Sequence, residues 1–182
     1  MILAGCANHN CAAGKGASMT IAEMKKIQDE HVAAETRKDI KAAAGGYLDD
    51  CYYQNVPLGF RIRGRDNVAA YYERTWKALP DGKVTIEGEA FGENVAVHWG
   101  TFHSTFRGNL LGSEATCHKV EFPVISVLAF RDGGIRSETL FFDLATMCEQ
   151  VGITIDQARR AITHNDQTER VWQDAFVPSG RR

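Results

Sequence analysis

The residues best suited to chemistry in this chain are one carboxylate and two histidines set in apolar strand sequence. Glu138 lies in the run Ile135–Phe142, IRSETLFF. Period-two alternation puts Arg136, Glu138, Leu140 and Phe142 on one face of that strand, and Ile135, Ser137, Thr139 and Phe141 on the other. A carboxylate beside Leu140 and Phe142 that faces a cavity is desolvated. Burial then raises its pKa toward the range in which a general acid or base works near neutral pH. The competing reading pairs Glu138 with Arg136 at a rim or a subunit contact. His98 and His103 share the strand Asn94–Phe106 and stand five apart, so they project to opposite faces unless Gly100 bulges the strand. That spacing argues against a joint metal site. At most one of the two can assist Glu138 in a cavity, while the other meets solvent or a partner subunit.

These side chains need a scaffold, and the chain reads as helices followed by a strand meander. Thr20-Ile-Ala-Glu23 is a capping box, followed by Ile21, Met24, Ile27 and Ala34 at helical spacing. His31 rides on the same stripe and reads as a packed or surface histidine. A short helix is expected over Ile40–Leu48, weakened by Gly45-Gly46, then a strand over Cys51–Val56 closed by Pro57 and Gly59. The helix Asp66–Leu79 aligns Val68, Tyr72, Trp76 and Leu79 before Pro80-Asp81-Gly82 stops it. Strands are predicted at Lys83–Phe91, Asn94–Phe106, Val120–Phe130 and Ile135–Phe142, the last two joined by the turn Asp132-Gly133-Gly134 and leading into a short helix through Asp143. This is an α+β pattern. Thr154-Ile-Asp-Gln157 opens a C-terminal helical segment carrying Trp172 and Phe176, two rings that need cover.

The composition narrows the function classes. With 182 residues, 24% charged and 44% hydrophobic, the chain fits a globular protein with a sizeable core. We divide it into a disordered leader at 1–18, one domain at 19–153 and a helical extension at 154–182. A formal charge of −2 and the lack of any Lys/Arg run argue against a nucleic-acid partner. The longest apolar stretch, Phe122–Phe130, is too short to span a membrane. Five irregularly spaced cysteines point to a reducing, cytoplasmic setting rather than a disulfide framework. Cys6, His9 and Cys11 lack a second ligand pair at zinc-like spacing. Leu3-Ala4-Gly5-Cys6 imitates a lipoprotein box without the apolar segment that should precede it.

The order and wording of several segments resemble the SnoaL-like polyketide cyclases of the nuclear transport factor 2-like superfamily. The resemblance rests on Asp49-Asp50-Cys-Tyr-Tyr-Gln-Asn55-Val-Pro57, on Gly64-Arg65 opening a helix that ends Leu79-Pro80-Asp81, and on Gly100-Thr101 with Phe106-Arg-Gly108. It continues through Val120-Glu-Phe-Pro123, Phe130-Arg-Asp-Gly133 and Asp143 before Gln150-Val-Gly152, covering Met19–Ile153. It implies a cone-shaped, curved, mostly antiparallel sheet covered by the N-terminal helices over a deep apolar pocket, commonly in homodimers. It also implies an acid/base Asp on the last strand and an assisting His on the strand before, but Leu140 and Ser126 stand at those positions. Asp143 matches the family's junction Asp, which caps the following helix. Asn55 falls where the family places a polar residue facing the cavity. There it would polarise a carbonyl oxygen, or else make an Asx-type bond before Pro57. Tyr53 shares its face, and Tyr72 and Trp76 supply wall or plain core. The resulting expectation is a cofactor-independent, metal-free cyclase, isomerase or lyase (dehydratase) acting on a hydrophobic carbonyl-bearing molecule of polyketide or terpenoid type. Glu138 would be its acid/base, His98 or His103 its assistant, and Asn55, Tyr53, Tyr72, Trp76, Ser126, Leu140 and Phe142 its binding residues. A non-catalytic ligand-binding or dimer-forming module on the same scaffold is the alternative.

Overall fold

The computed structural model describes residues 18–162 and 168–170. Residues 1–17, Trp172 and Phe176 lie outside the described residues, so the readings of Cys6, His9 and Cys11 and of the two C-terminal rings fall outside them too. The capping box forms as read: Thr20 Oγ1 accepts the amide of Glu23, whose carboxylate accepts the amide of Thr20. It opens α1, Ile21–Arg37, which buries Met24, Gln28, His31 and Ala34. Helix α2 covers Ile40–Gly45 and stops short of Leu48. Gly46 caps it, and the Gly46 carbonyl accepts the amide of Ile135 at 2.9 Å, committing the next residues to a sheet. Strand β1 therefore starts at Tyr47, earlier than expected, and runs to Asn55. After β2, Phe60–Arg63, helix α3 spans Arg65–Ala78 and buries Val68, Tyr72 and Ala78.

The meander follows as β3 Lys83–Gly92, β4 Val95–Thr105, β5 Lys119–Arg131 and β6 Gly134–Phe142. Short helices α4, Leu144–Val151, and α5, Ile155–Arg160, come next. The last described element is a strand, β7, Thr168–Arg170, pairing with β2, where a continuing helix had been expected. The seven strands make one curved, open sheet in the order β3-β4-β5-β6-β1-β2-β7. All pairings are antiparallel except β1 with β6, which is parallel. The fold is thus the expected α+β one, with α1 against β3 and β4 and α3 against β1 and β2. No helix among the described residues is long and apolar enough to cross a membrane.

The alternation of β5 shows how the faces divide. Val120, Phe122, Val124, Ser126, Leu128 and Phe130 point under the helices and are buried, while Ile125 on the convex face is 45% exposed. Bulges in β3 and β6 adjust this pattern. Glu87 is the extra residue in β3, since Ile86 faces Gly100 and Gly88 faces Trp99. Arg136 is the extra residue in β6, since Ile135 faces Phe130 and Ser137 faces Ala129. The second bulge corrects the face assignment at the start of β6. Ile135 turns inward and is fully buried, while Arg136 leaves the Glu138 face to donate to the Asp50 carbonyl and lie over Tyr52.

Candidate active site

Strand register assembles a row of side chains on the concave face. Asn55 of β1 lies opposite Leu140 of β6, Leu140 opposite Ser126 of β5, and Ser126 opposite His98 of β4. In the next row Tyr53 lies opposite Glu138. All of these face a cavity of about 660 Å³, roofed by Tyr72 and Trp76 of α3 and walled by Phe102, Phe122, Val124 and Phe142. Tyr72 and Trp76 stack with ring centres 4.7 Å apart. The wall is apolar, and the polar groups are few and convergent, the usual make-up of a small-molecule site.

Glu138 is 4% exposed and saturated with donors. Oε1 accepts from Ser126 Oγ at 2.7 Å. Oε2 accepts from the Tyr47 hydroxyl and, at 3.4 Å, from the Tyr72 hydroxyl, and the two tyrosine hydroxyls are 2.9 Å apart. His31 Nε2 stands 3.7 Å from Oε2 and 3.6 Å from Glu35 Oε1. Burial pushes the Glu138 carboxyl up, but His31, Ser126 and Tyr47 outweigh burial and hold its pKa below the usual range. This reverses the expected upward shift. The reason is the buried imidazole of α1, which helix periodicity had left as packing.

His31 is oriented from behind, with Nδ1 3.2 Å from the carbonyl of Ala43. Burial opposes its charge, yet Glu35 and Glu138 together overcome burial and raise its pKa. Glu35 responds the other way. Burial and the Glu138 charge raise its pKa, against the opposing pull of His31, and its side chain lines the cavity. Two carboxylates with opposite shifts around one imidazolium separate into a fixed anion and a proton carrier. His31, Glu35 and Glu138 offer ligand atoms within 4.8 Å of one another. A cation there would compete with the proton on His31 for the same nitrogen.

His98 is the second reactive group. It is 5% exposed, lines the cavity, and its buried Nδ1 has no partner among the described residues. Burial lowers its pKa, with Glu138 offsetting this only in part, so it is a neutral imidazole with a free nitrogen. Across the strand pair stands Glu89, which accepts from Gln28 Nε2 at 3.0 Å. His103 does not reach the cavity. The extra residue near Gly100 falls in β3, so β4 keeps strict alternation and sends His103 to the convex face, 3.2 Å from Glu121.

Asn55 combines both of its expected placements. It is buried on the cavity wall, and its Oδ1 accepts the amide of Leu58 at 3.0 Å. Asp143 caps α4 by accepting the amide of Thr146 at 3.0 Å and its hydroxyl at 2.7 Å. The sequence reading missed His31, Glu35 and Tyr47 as site residues. One signal was present: Gln28 and His31 are polar positions on the buried stripe of α1 and both need partners in the core. Cys51 and Cys148 are buried, and burial pushes the Cys51 thiol up to about 11, which disarms it as a nucleophile.

A model of the family described as SnoaL-like polyketide cyclase matches residues 18–151. No curated protein sequence matches the chain. Among solved structures, AclR from Streptomyces galilaeus aligns with a TM-score of 0.65 at 20% identity, covering 73% of this chain and 98% of its own. TsrD from Streptomyces laurentii aligns at 0.66 and 19%, covering 75% and 99%. An LEH-like epoxide hydrolase from M. tuberculosis aligns at 0.59 and 21%, covering 71% and 90%. At these identities the structural likeness speaks for the fold alone.

Proposed function

Because the chain belongs to the SnoaL-like polyketide cyclase family, we propose that it is an enzyme that moves protons on a hydrophobic, carbonyl-bearing small molecule. Cyclisation, isomerisation and dehydration of a polyketide- or terpenoid-like substrate, without a cofactor, are the reactions this reading covers. The observation that carries it is the meeting, at one apolar cavity, of a neutral His98 with a free nitrogen and the carboxylates of Glu138 and half-buried Glu35, both held by the buried His31.

In this reading His98 takes a proton from the carbon beside the carbonyl, since a desolvated neutral imidazole is a competent base near neutral pH. Glu35, whose pKa is raised by burial, returns a proton or donates to the developing oxyanion. Glu138 keeps a different task from the acid/base one expected for it. With both oxygens occupied, it fixes the Ser126 and Tyr72 hydroxyls and balances the imidazolium of His31. Asn55 holds the β1–β2 turn and presents its amide to the cavity.

The saturation of Glu138 favours a second reading, a binding module in which this carboxylate only holds the core together. The two separate in a test that needs no natural substrate: exchange of the α-protons of 2-tetralone in deuterated buffer, followed by NMR. The enzyme reading expects exchange above the buffer rate, lowered by about 10²–10⁴-fold in His98→Gln. Binding of the probe with exchange at the buffer rate leaves the binding module.

A further inference from the structure

Lys38 is a charged side chain on the cavity wall that the proton-transfer reading leaves without a task. It closes α1 with φ 60°, a left-handed conformation usually given to glycine or asparagine. Its backbone amide makes the cap bonds to Ala34 and Glu35, so capping alone does not call for a lysine. From this position the stem reaches inward. Nζ lies 5.2 Å from the ring centre of Trp76, a roof residue, and donates to the carbonyl of Gly82. A side chain at Gly82 would press on the Phe102 ring at 3.0 Å; its absence lets that carbonyl come close to the cavity wall.

The ammonium carries three donors, and among the described residues its hydrogen bond goes to a neutral carbonyl, that of Gly82. Among the described residues it forms no ion pair. The carboxylates nearest in charge are Asp81 and Glu35. Asp81 is occupied by the Ser104 and Thr105 hydroxyls and the Thr105 amide. Glu35 is turned toward His31. A half-buried cation held on an aromatic face, with donors to spare in an apolar cavity, is set to receive an anion. Arg74 also lines the cavity, but it is exposed over Tyr71 and stays hydrated.

We infer that the ligand of this cavity is an apolar molecule bearing a carboxylate, and that Lys38 binds that carboxylate against the face of Trp76. The inference rests on the reading of the cavity as a small-molecule site, and it narrows the substrate class to hydrophobic keto acids or their equivalents. Lys38 and Glu35 line the same cavity, and each feels the other's charge. A carboxylate seated on Lys38 therefore places the adjoining carbons beside the proton-transfer groups.

The test compares 2-naphthoate with methyl 2-naphthoate by isothermal titration calorimetry on the full chain, as wild type, Lys38→Met and Arg74→Gln. Lys38→Met keeps the apolar stem and the backbone cap, and circular dichroism and thermal melting confirm that each variant is folded. The expected result is a wild-type preference for the carboxylate of about tenfold or more, the scale of a charge-assisted hydrogen bond. That preference should vanish in Lys38→Met through loss of naphthoate binding alone, and persist in Arg74→Gln. Equal binding of acid and ester by the wild type, or a preference that survives Lys38→Met, overturns the inference and leaves the small-molecule site standing. Binding of neither probe overturns both.

Discussion

His31 of the first helix and Glu138 of the sixth strand face each other at 3.7 Å inside the domain, with Glu35 beside the same imidazole nitrogen at 3.6 Å. Each charge is tolerable there because the other is present, and both depend on α1 lying correctly on the sheet. Removing one member leaves the other buried without compensation, a loss of about 3–5 kcal/mol. His31→Gln should show it as a lower denaturation midpoint with an unchanged slope. The double variant His31→Gln, Glu138→Gln should recover part of the loss.

The same pair sets a pH window for stability. The Glu138 pKa is depressed in the folded state. Its contribution is present above the ordinary carboxylate pKa of about 4.3 and is lost as pH falls below it. The His31 pKa is raised to about 9. Its contribution is complete below the ordinary value of about 6.5 and fades as pH rises toward the folded value. Melting temperature should therefore peak at mildly acidic pH and decline on both sides. The alkaline decline should be absent in His31→Gln, and a wild-type profile flat from neutral to alkaline pH would contradict the assignment.

Replacing His98 separates chemistry from folding. It carries no ion pair, and its Nδ1 has no partner, so His98→Gln should change the melting temperature little while lowering proton exchange by about 10²–10⁴-fold. Glu138→Gln should lower both, in contrast to the intact folding that a free-standing acid/base would allow.

Asp143 is exposed and caps α4. Asp143→Ala should cost about 0.5–2 kcal/mol, read by urea denaturation, with proton exchange at the wild-type rate in the folded protein. Loss of exchange without loss of stability would make it a site residue instead.

The convex face carries its own expectation. Trp99, Ile125 and Phe141 face one another across β4, β5 and β6 and are each 41–45% exposed. A contiguous apolar row of this kind marks an interaction surface, and we expect a second copy of the chain to cover it. Sedimentation should show a homodimer at micromolar concentration, and Ile125→Lys with Phe141→Lys a monomer.

Much of this architecture was legible as pattern. The capping box at Thr20, the roof helix with Tyr72 and Trp76, and the meander all follow from local periodicity and turn residues; Thr154 caps α5 as read, but the Gln157 side chain donates to the Gly112 carbonyl and does not close the expected box. Alternation grouped Glu138, Leu140 and Phe142 on one face, because it needs only neighbouring residues to be read, while the family resemblance turned that face, with Asn55 and Ser126, toward a cavity. The bulge at Arg136 was not legible, since an extra residue on β6 is defined only against β5. The direction of the Glu138 shift failed for a related reason. Burial acts on a carboxylate wherever it is enclosed, but the opposing imidazole comes from another part of the chain, through packing that no local spacing encodes. His103 could be separated from His98 by parity, but which of the two faced inward depended on where the bulge near Gly100 fell.

The parallel pairing of β1 with β6 places the earliest strand of the domain beside the latest of the meander, with Tyr53 against Glu138. During synthesis, β1 and β2 emerge long before the strand they must adjoin. The meander β3 to β6 can zip locally, hairpin by hairpin, but the central seam waits for residue 142. Until then the β1 edge stays unpaired and can recruit a neighbouring nascent chain. Truncation within β6 should therefore yield an aggregating chain rather than a smaller folded one, and refolding should slow at the step that joins the two ends of the sheet.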